Sequence, residues 1–370
     1  MGLKTTLIKN ASNIPGWSTK RRIVVIESDD WGSIRMPSMD AYRKLESAGV
    51  PFTEDSRRYN HNDTLATAED FNVLFETLQK HKDRTGRPAV FTPVAIVANP
   101  DFDRIRKQGF EQYYYEPFTA TLERYGQNDA FKLWKDGISD RLFVPQFHAR
   151  EHLNIAVWMR ALQAGDENTL NAFDAGIWAF KNVNKYNVGF QSAFDLELQA
   201  DLPVQADAIA TGLQLFEELF GYQATFFVPP NGPINNSLEK TAYDHGIRYI
   251  STSKIQAEAL GEGSVKKHFH YLGQKNTLGQ RYITRNCFFE PSDTTRDWVA
   301  SCLQDINIAF RWNKPAVVSS HRVNFTGGLN PANRQKGNEQ LAALLREVLK
   351  RWPETEFMTS AELGDLINGA

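Results

Sequence analysis

The sequence predicts an α/β fold: a parallel (β/α) barrel or sheet, in a single domain with insertions. Three observations predict it. Ile23 to Ile26 is an unbroken apolar run, the pattern of a strand buried on both faces. Strand-like and helix-like segments alternate along 370 residues, as βα units do, and such barrels hold a chain of this length as one domain. The residues able to carry chemistry fall just after candidate strands, whose carboxyl ends share one rim in a barrel.

Taken in order, residues 1–20 read as an irregular N-terminal arm, and 21–370 as the barrel. The first strand spans 22–28, and the polar, turn-rich stretch 33–66 reads as a long loop with one short helix. Thr67 and Asp70 resemble a capping box, opening a helix whose apolar face is Phe71, Leu74, Phe75 and Leu78. A second strand lies within 89–98, broken by Asn99 to Phe102. The region 100–140 reads as an insertion, with the aromatic run QYYYEPF and a helix around Ala130 to Trp134. LFVPQF, ending at Phe147, is the third strand; helices follow around 153–164 and 167–183, then a short strand GFQSAFD at 189–195. A long helix at 205–220 precedes a strand at 222–228, a helix at 235–245 and a strand IRYIST. The stretch 254–292 reads as an insertion of small antiparallel strands or loops. A helix at 294–311, a strand at 315–321, a helix at 334–351 and the stretch EFMTSAEL complete the chain. No repeat or linker divides it.

The composition narrows the function classes. A formal charge of −2 argues against a dedicated nucleic-acid or anionic-membrane partner. Cys287 and Cys302 can support neither a disulfide framework nor a CxxC metal site. The opening residues lack an apolar core long enough for a signal peptide, and no segment approaches a membrane span. A cytoplasmic location and an intracellular substrate are therefore expected. Met1-Gly2 is compatible with myristoylation or a cloning remnant, and neither is adopted.

The stretch RRIVVIESDDWG, Arg21 to Gly32, organises the rest. Two adjacent carboxylates at the end of a buried strand repel each other, and burying both is costly unless a cation lies between them. Alone, Asp29-Asp30 also reads as an Asp-rich turn or helix cap. Adjacent strand residues point to opposite faces, so one Asp must leave the pleat as the strand ends. One can then bind a metal while the other addresses a water. His148 and His152 can converge on one ion, or cap a strand end through backbone hydrogen bonds. One Asp and two His leave coordination positions open, as catalytic metal sites do. Trp31 either floors a substrate pocket or wedges the barrel rim. His268 and His270 sit among lysines and are expected to face solvent.

With these motifs placed, the chain resembles carbohydrate esterase family 4, the polysaccharide deacetylases with NodB homology, from about Arg21 to His321 and on to the AEL near the end. The family's TFDDG motif is similar to Glu27 through Gly32, which implies Asp29 as general base and Asp30 as metal ligand. Its H-[ST]-x-x-H motif corresponds to His148 through His152, which implies two histidine ligands. RPPYG resembles Val228-Pro229-Pro230-Asn231-Gly232, and L-x-x-H resembles Val318 through His321, with His321 as general acid. Trp31, Pro230, Asn231, Arg150 and Arg322 are the expected substrate and oxyanion contacts. The chain departs from the pattern at Val228, where the Arg that holds the base is missing. Arg150, Arg285 and Arg322 are the candidate replacements. Asn231 stands for the usual Tyr, Ala149 for the usual Ser or Thr, and the motif carrying Asp and Trp is best sought in RNCFFEP, 285–291.

The resemblance implies a distorted barrel of the NodB type. It implies a metal-dependent hydrolase acting on C–N amide bonds, which removes an acetyl group from an N- or O-acetylated sugar or polysaccharide intermediate through a metal-bound water. Zn²⁺ is the expected metal, with Co²⁺, Ni²⁺ or Mn²⁺ as alternatives. Two other readings stay open: a non-catalytic carbohydrate-binding relative, and a hydrolase of a small non-sugar amide on the same fold.

Overall fold

The computed structural model describes residues 3–369. Thirteen strands occur among them: β1 (Arg22–Trp31), β2 (Phe91–Ile96), β3 (Ala98–Pro100), β4 (Tyr115–Pro117), β5 (Gln146–Ala149), β6 (Phe226–Phe227), β7 (Tyr249–Thr252), β8 (Ile255–Gly261), β9 (Ser264–Phe269), β10 (Arg281–Thr284), β11 (Cys287–Phe288), β12 (Ala316–His321) and β13 (Thr355–Met358). The main sheet follows the order β10-β7-β6-β5-β2-β1-β12-β11, curled into an open barrel whose neighbouring strands run parallel. β1 is its hub. It pairs with β12 along 24–29, with β2 over its second half, and with β13 over its first.

The two-residue side-chain period of a strand divides the core. Val24 and Ile26 face the outer helices, with Phe71, Phe91, Leu303 and Leu344 in the largest apolar cluster. Ile23 and Val25 face inward, packed with Val94, Phe226, Ile283 and Val317. The base of this inner cluster is filled by Leu363 and Ile367 of the C-terminal helix Ser360–Asn368. Continuing the same alternation, Glu27 and Asp29 also belong to the inner face. The barrel interior therefore changes from apolar to charged toward the carboxyl ends of its strands.

Several expectations need correction. Residues 3–12 form a helix, not an irregular arm, because tertiary contacts hold it: Lys9 pairs with Asp305, and Trp312 Nε1 donates to Asn10 Oδ1 at 2.9 Å. Met1-Gly2 lies outside the described residues. The 33–66 stretch carries two helices, Met39–Ser47 and Glu54–Asn62, started by the caps Ser38 and Thr53. The helix expected at 167–183 stops at Asp174, where Gly176 at φ +70° turns the chain and the Gly176 and Ile177 amides return to Phe173 and Ala172. GFQSAFD is not a strand; Asn154 Nδ2 donates to the carbonyls of Ser192 and Asp195 and holds it as turns. Within 254–292, β8 and β9 do form an antiparallel hairpin, but β10 and β11 join the parallel barrel.

Candidate active site

Asp30 is set by a break in β1. Its φ is +75°, and the pairing with β2 shifts register between Ser28 and Trp31. That bulge takes Asp30 out of the pleat, while Asp29 keeps its place opposite His321 on β12. His148 is the penultimate residue of β5, and His152 lies in the bend that follows. Asp30 Oδ1 is 3.4 Å from His148 Nε2 and 3.2 Å from His152 Nε2. All three side chains are buried, and their ligand atoms lie within 4.8 Å of one another.

This donor set fits a divalent metal. Two tetrahedral ligands at roughly 2.0–2.1 Å from a zinc ion lie about 3.3 Å apart, close to the spacings between these oxygen and nitrogen atoms. His148 Nδ1 donates to the Val228 carbonyl at 2.5 Å, which leaves Nε2 with a free lone pair facing Asp30. His152 is stacked on Trp178, and its buried Nδ1 has no hydrogen-bond partner among the described residues. Asp30, His148 and His152 would hold the metal, leaving further positions open to water or substrate.

Two charged pairs flank these ligands. Arg285 grips Asp29 with both terminal nitrogens at 2.6 Å and gives its Nε to Glu27 Oε2 at 2.6 Å. Ser360 Oγ donates to the other oxygen of Glu27 at 2.9 Å. Burial alone would raise the Asp29 pKa, but the Arg285 guanidinium outweighs it and holds the carboxyl below the usual carboxylate range. Glu27, fully buried, stays raised despite the same guanidinium. Across the cavity, His321 Nδ1 donates to Glu290 Oε1 at 2.6 Å, and its Nε2 is 3.9 Å from Asp29 Oδ2. Asn324 Nδ2 and Arg58 orient the second Glu290 oxygen at 2.9 Å and 3.1 Å. Burial pulls the His321 pKa down, but the charge of Glu290 and the hydrogen bond to it lift it well above the ordinary imidazole value.

These groups open into a cavity of about 510 Å³. Its walls include the turn Pro229, Asn231 and Gly232, the segment Ser251 to Lys254, Arg35, Tyr59, Gln191 and Phe288. Asn231 at φ +57° and Gly232 at φ +94° make the turn tight enough to present backbone beside His148. Lys9, Ser12 and Asn13 of the N-terminal arm form part of the wall. Lys254 Nζ fastens the arm, donating to the Ser12 carbonyl at 2.8 Å at the carboxyl end of helix Leu3–Ser12.

Of the ten site residues expected from sequence, Asp29, Asp30, His148, His152, Asn231 and His321 line this cavity. Trp31 takes the wedge role instead: it is fully buried against Phe71, Trp134 and Phe143, its Nε1 donating to Ser28 Oγ. Arg150 is turned away, bound to Glu151, Asp207 and Thr211. Arg322 is buried against Asp63 and the Ser33 carbonyl. Both lie off the cavity because each guanidinium is saturated by its own partners. Pro230 is buried behind the turn, outside the wall. Among the three candidate arginines, Arg285 is the one that reaches Asp29.

His268 and His270 do not face solvent as expected. His268 Nε2 meets Glu258 Oε2 at 2.7 Å across the β8–β9 hairpin, and His270 is buried against Gln256 and Tyr282. Glu290, Arg35, Tyr59 and Lys254 were not singled out from sequence. Glu290 could have been found inside RNCFFEP as the carboxylate of the diverged motif. The others carry no spacing signal, since the fold alone brings them to the cavity.

No family model matches the chain, and no curated protein matches it. Solved structures match in fold. The PuuE allantoinase superposes with a TM-score of 0.51 at 9% identity, over 96% of this chain and 93% of that one. A "probable polysaccharide deacetylase" from Pseudomonas aeruginosa PAO1 superposes at 0.49 and 10% identity, over 93% and 90%. A pseudoenzyme of carbohydrate esterase family 4 from Bacillus anthracis superposes at 0.38 and 12% identity, over 93% and 66%. At such identities the likeness to the allantoinase establishes the fold and nothing of the chemistry; the other two superpose too loosely to add to it. The fold is the NodB-type barrel that the motif order implies. Among the described residues, no helix is long and apolar enough to cross a membrane.

Proposed function

We propose that the chain is a metal-dependent hydrolase of C–N amide bonds that removes an acetyl group from an N-acetylated sugar or polysaccharide intermediate, with O-acetyl carbohydrate as the nearest variant. One observation carries this reading: Asp30, His148 and His152 converge in one cavity between an Asp29–Arg285 pair and a His321–Glu290 pair. A divalent cation, Zn²⁺ being the best match to two imidazoles and a carboxylate, would supply Lewis-acid polarisation of the carbonyl and a lowered water pKa.

The chain's own groups supply the rest. Arg285 keeps Asp29 ionised and fixes its plane, so that Asp29 can accept a proton from the attacking water. Glu290 keeps His321 protonated, ready to donate to the departing amine. Opposed environments that hold one group basic and its neighbour acidic are how a site assigns these two roles. Each such proton transfer is typically worth about a hundred- to ten-thousandfold in rate. The missing Arg at Val228 is the main support for a non-catalytic relative, and Arg285 meets that need from another strand end.

Metal analysis of the purified chain, combined with acetate release from a panel of N-acetyl sugars, tests the proposal. Near-stoichiometric divalent metal and acetate release from at least one sugar are expected. A chain that binds no divalent metal, or binds it and releases acetate from none of the panel, overturns it.

A further inference from the structure

Most cations of the cavity are already satisfied. Lys9 is paired with Asp305, Arg285 with Asp29 and Glu27, and His321 with Glu290. Lys254 spends its ammonium on Ser12 of the arm, as carbonyl and hydroxyl acceptor. Arg35 is the exception. It is 8% exposed, yet it makes no ion pair among the described residues. Its guanidinium lies 4.4 Å above the Tyr59 ring, and Tyr59 in turn stands edge-on to His321, with ring centroids 6.0 Å apart. One terminal nitrogen donates to Gln191 Oε1 at 3.2 Å, and the buried Nε donates to nothing among the described residues. Asp63 is near enough to feel its charge, but no hydrogen bond joins the two: Arg322 holds Asp63 Oδ1, and the buried Oδ2 has no partner among the described residues.

Burying a guanidinium without a hydrogen-bonded anion is expensive. Arg35 nevertheless lines the same cavity as the candidate metal ligands, beside Gln191, whose amide oxygen faces Arg35 and so leaves its nitrogen as a donor. A planar fork with open donors suits a carboxylate or phosphate, which it can meet with two parallel hydrogen bonds.

We propose that Arg35, assisted by Gln191, is an oxyanion subsite, and that the substrate is an acetylated molecule bearing a carboxylate or a phosphate. The proposal rests on the hydrolase reading for the word substrate; the anion site itself stands on the unpaired guanidinium. Arg35 acts as a specificity residue and takes no part in proton transfer.

Two measurements separate the claims. First, inorganic phosphate is titrated calorimetrically into the full chain after chelation, so that no metal competes for it. Wild type is expected to bind one phosphate, Arg35→Gln at least about tenfold more weakly, and Lys254→Gln within about twofold of wild type. Arg35→Lys keeps the charge, loses the fork and guards against misfolding of the Gln variant; it too is expected to bind more weakly than wild type. Equal binding by wild type and both Arg35 variants, or loss of binding in Lys254→Gln instead, overturns the subsite. Second, acetate release by the metal-loaded chain is compared for N-acetylglucosamine, N-acetylmuramic acid and N-acetylglucosamine 6-phosphate. An anionic sugar is expected to exceed the neutral one in kcat/KM by about tenfold or more, with the ratio falling toward one in Arg35→Gln. A preference for the neutral sugar overturns the substrate class while leaving the hydrolase reading intact. Acetate release from none of the three counts against the hydrolase reading, and the phosphate titration still decides the subsite.

Discussion

Replacing Arg285 by Met tests the charge arrangement most directly. Arg285 is the counter-ion for two buried carboxylates, Glu27 with none of its side chain exposed and Asp29 with 8%. It makes three hydrogen bonds of 2.6 Å to them and a fourth, of 3.1 Å, to Ser319 Oγ. Removing one partner of a buried ion pair typically costs about 3–5 kcal/mol, because the remaining charge keeps its desolvation penalty. Against a total stability of about 5–15 kcal/mol, Arg285→Met should lower the urea midpoint sharply at pH 7.5 without unfolding every molecule. The sign with pH follows from the carboxylates. In wild type, the stabilisation of Asp29 is present above its unfolded pKa and is lost only as pH falls through its lowered folded value. In the variant, burial raises both carboxyls against only the weaker opposition of Ser360 at Glu27 and of His148 and His321 at Asp29, so the penalty is full at high pH and relaxes as they take up protons. The deficit should therefore narrow between pH 7.5 and 5, and Glu27→Gln added to Arg285→Met should recover part of it at pH 7.5. Turnover should fall with it, since Asp29 loses both its charge state and its orientation. A deficit below about 1 kcal/mol at pH 7.5, or one of the same size at both pH values, would refute the electrostatic account.

Four other outcomes are expected. Asp30→Ala, His148→Ala and His152→Ala should each abolish turnover and weaken divalent-metal binding at least about tenfold by calorimetry, while Asp29→Asn should abolish turnover and bind metal as wild type does. Glu290→Gln removes the partner that lifts His321, so the alkaline limb of the kcat/KM profile should move to lower pH; an unmoved limb would exclude His321 as the acid. Burial lowers Lys254 to about 8, so the native state binds fewer protons than the unfolded chain between pH 8 and about 10.5, and wild type should gain stability relative to Lys254→Met over that window in urea titrations. Gly337→Ala would place a Cβ 1.7 Å from the Asn324 carbonyl oxygen; it should cost more than the usual overpacking penalty of about 1–3 kcal/mol in denaturation and reduce turnover by displacing Asn324 from Glu290.

The hub strand and the exit of one Asp from its pleat were legible in the sequence because they depend on local pattern. An unbroken apolar run marks a strand buried on both faces, and a strand cannot keep two adjacent carboxylates on one side, so the exit of one Asp from the pleat could be read from Asp29-Asp30 alone. Structure identified it as Asp30, lifted out at φ +75°. The capping box of Thr67 and Asp70 was equally local, and it forms as read. What tertiary structure alone decided is which distant groups neutralise these charges. Arg150, Arg285 and Arg322 were equivalent as sequence; the curl of the sheet brings the end of β10 beside the end of β1, 256 residues away, and places Arg285 on Asp29, whereas Arg322 meets Asp63 and Arg150 meets Glu151. The same closure brings the N-terminal helix onto the cavity and leaves Arg35 without a hydrogen-bonded anion among the described residues. Local pattern encodes which face of an element is buried; the identity of a buried charge's partner depends on which strand ends the barrel makes neighbours.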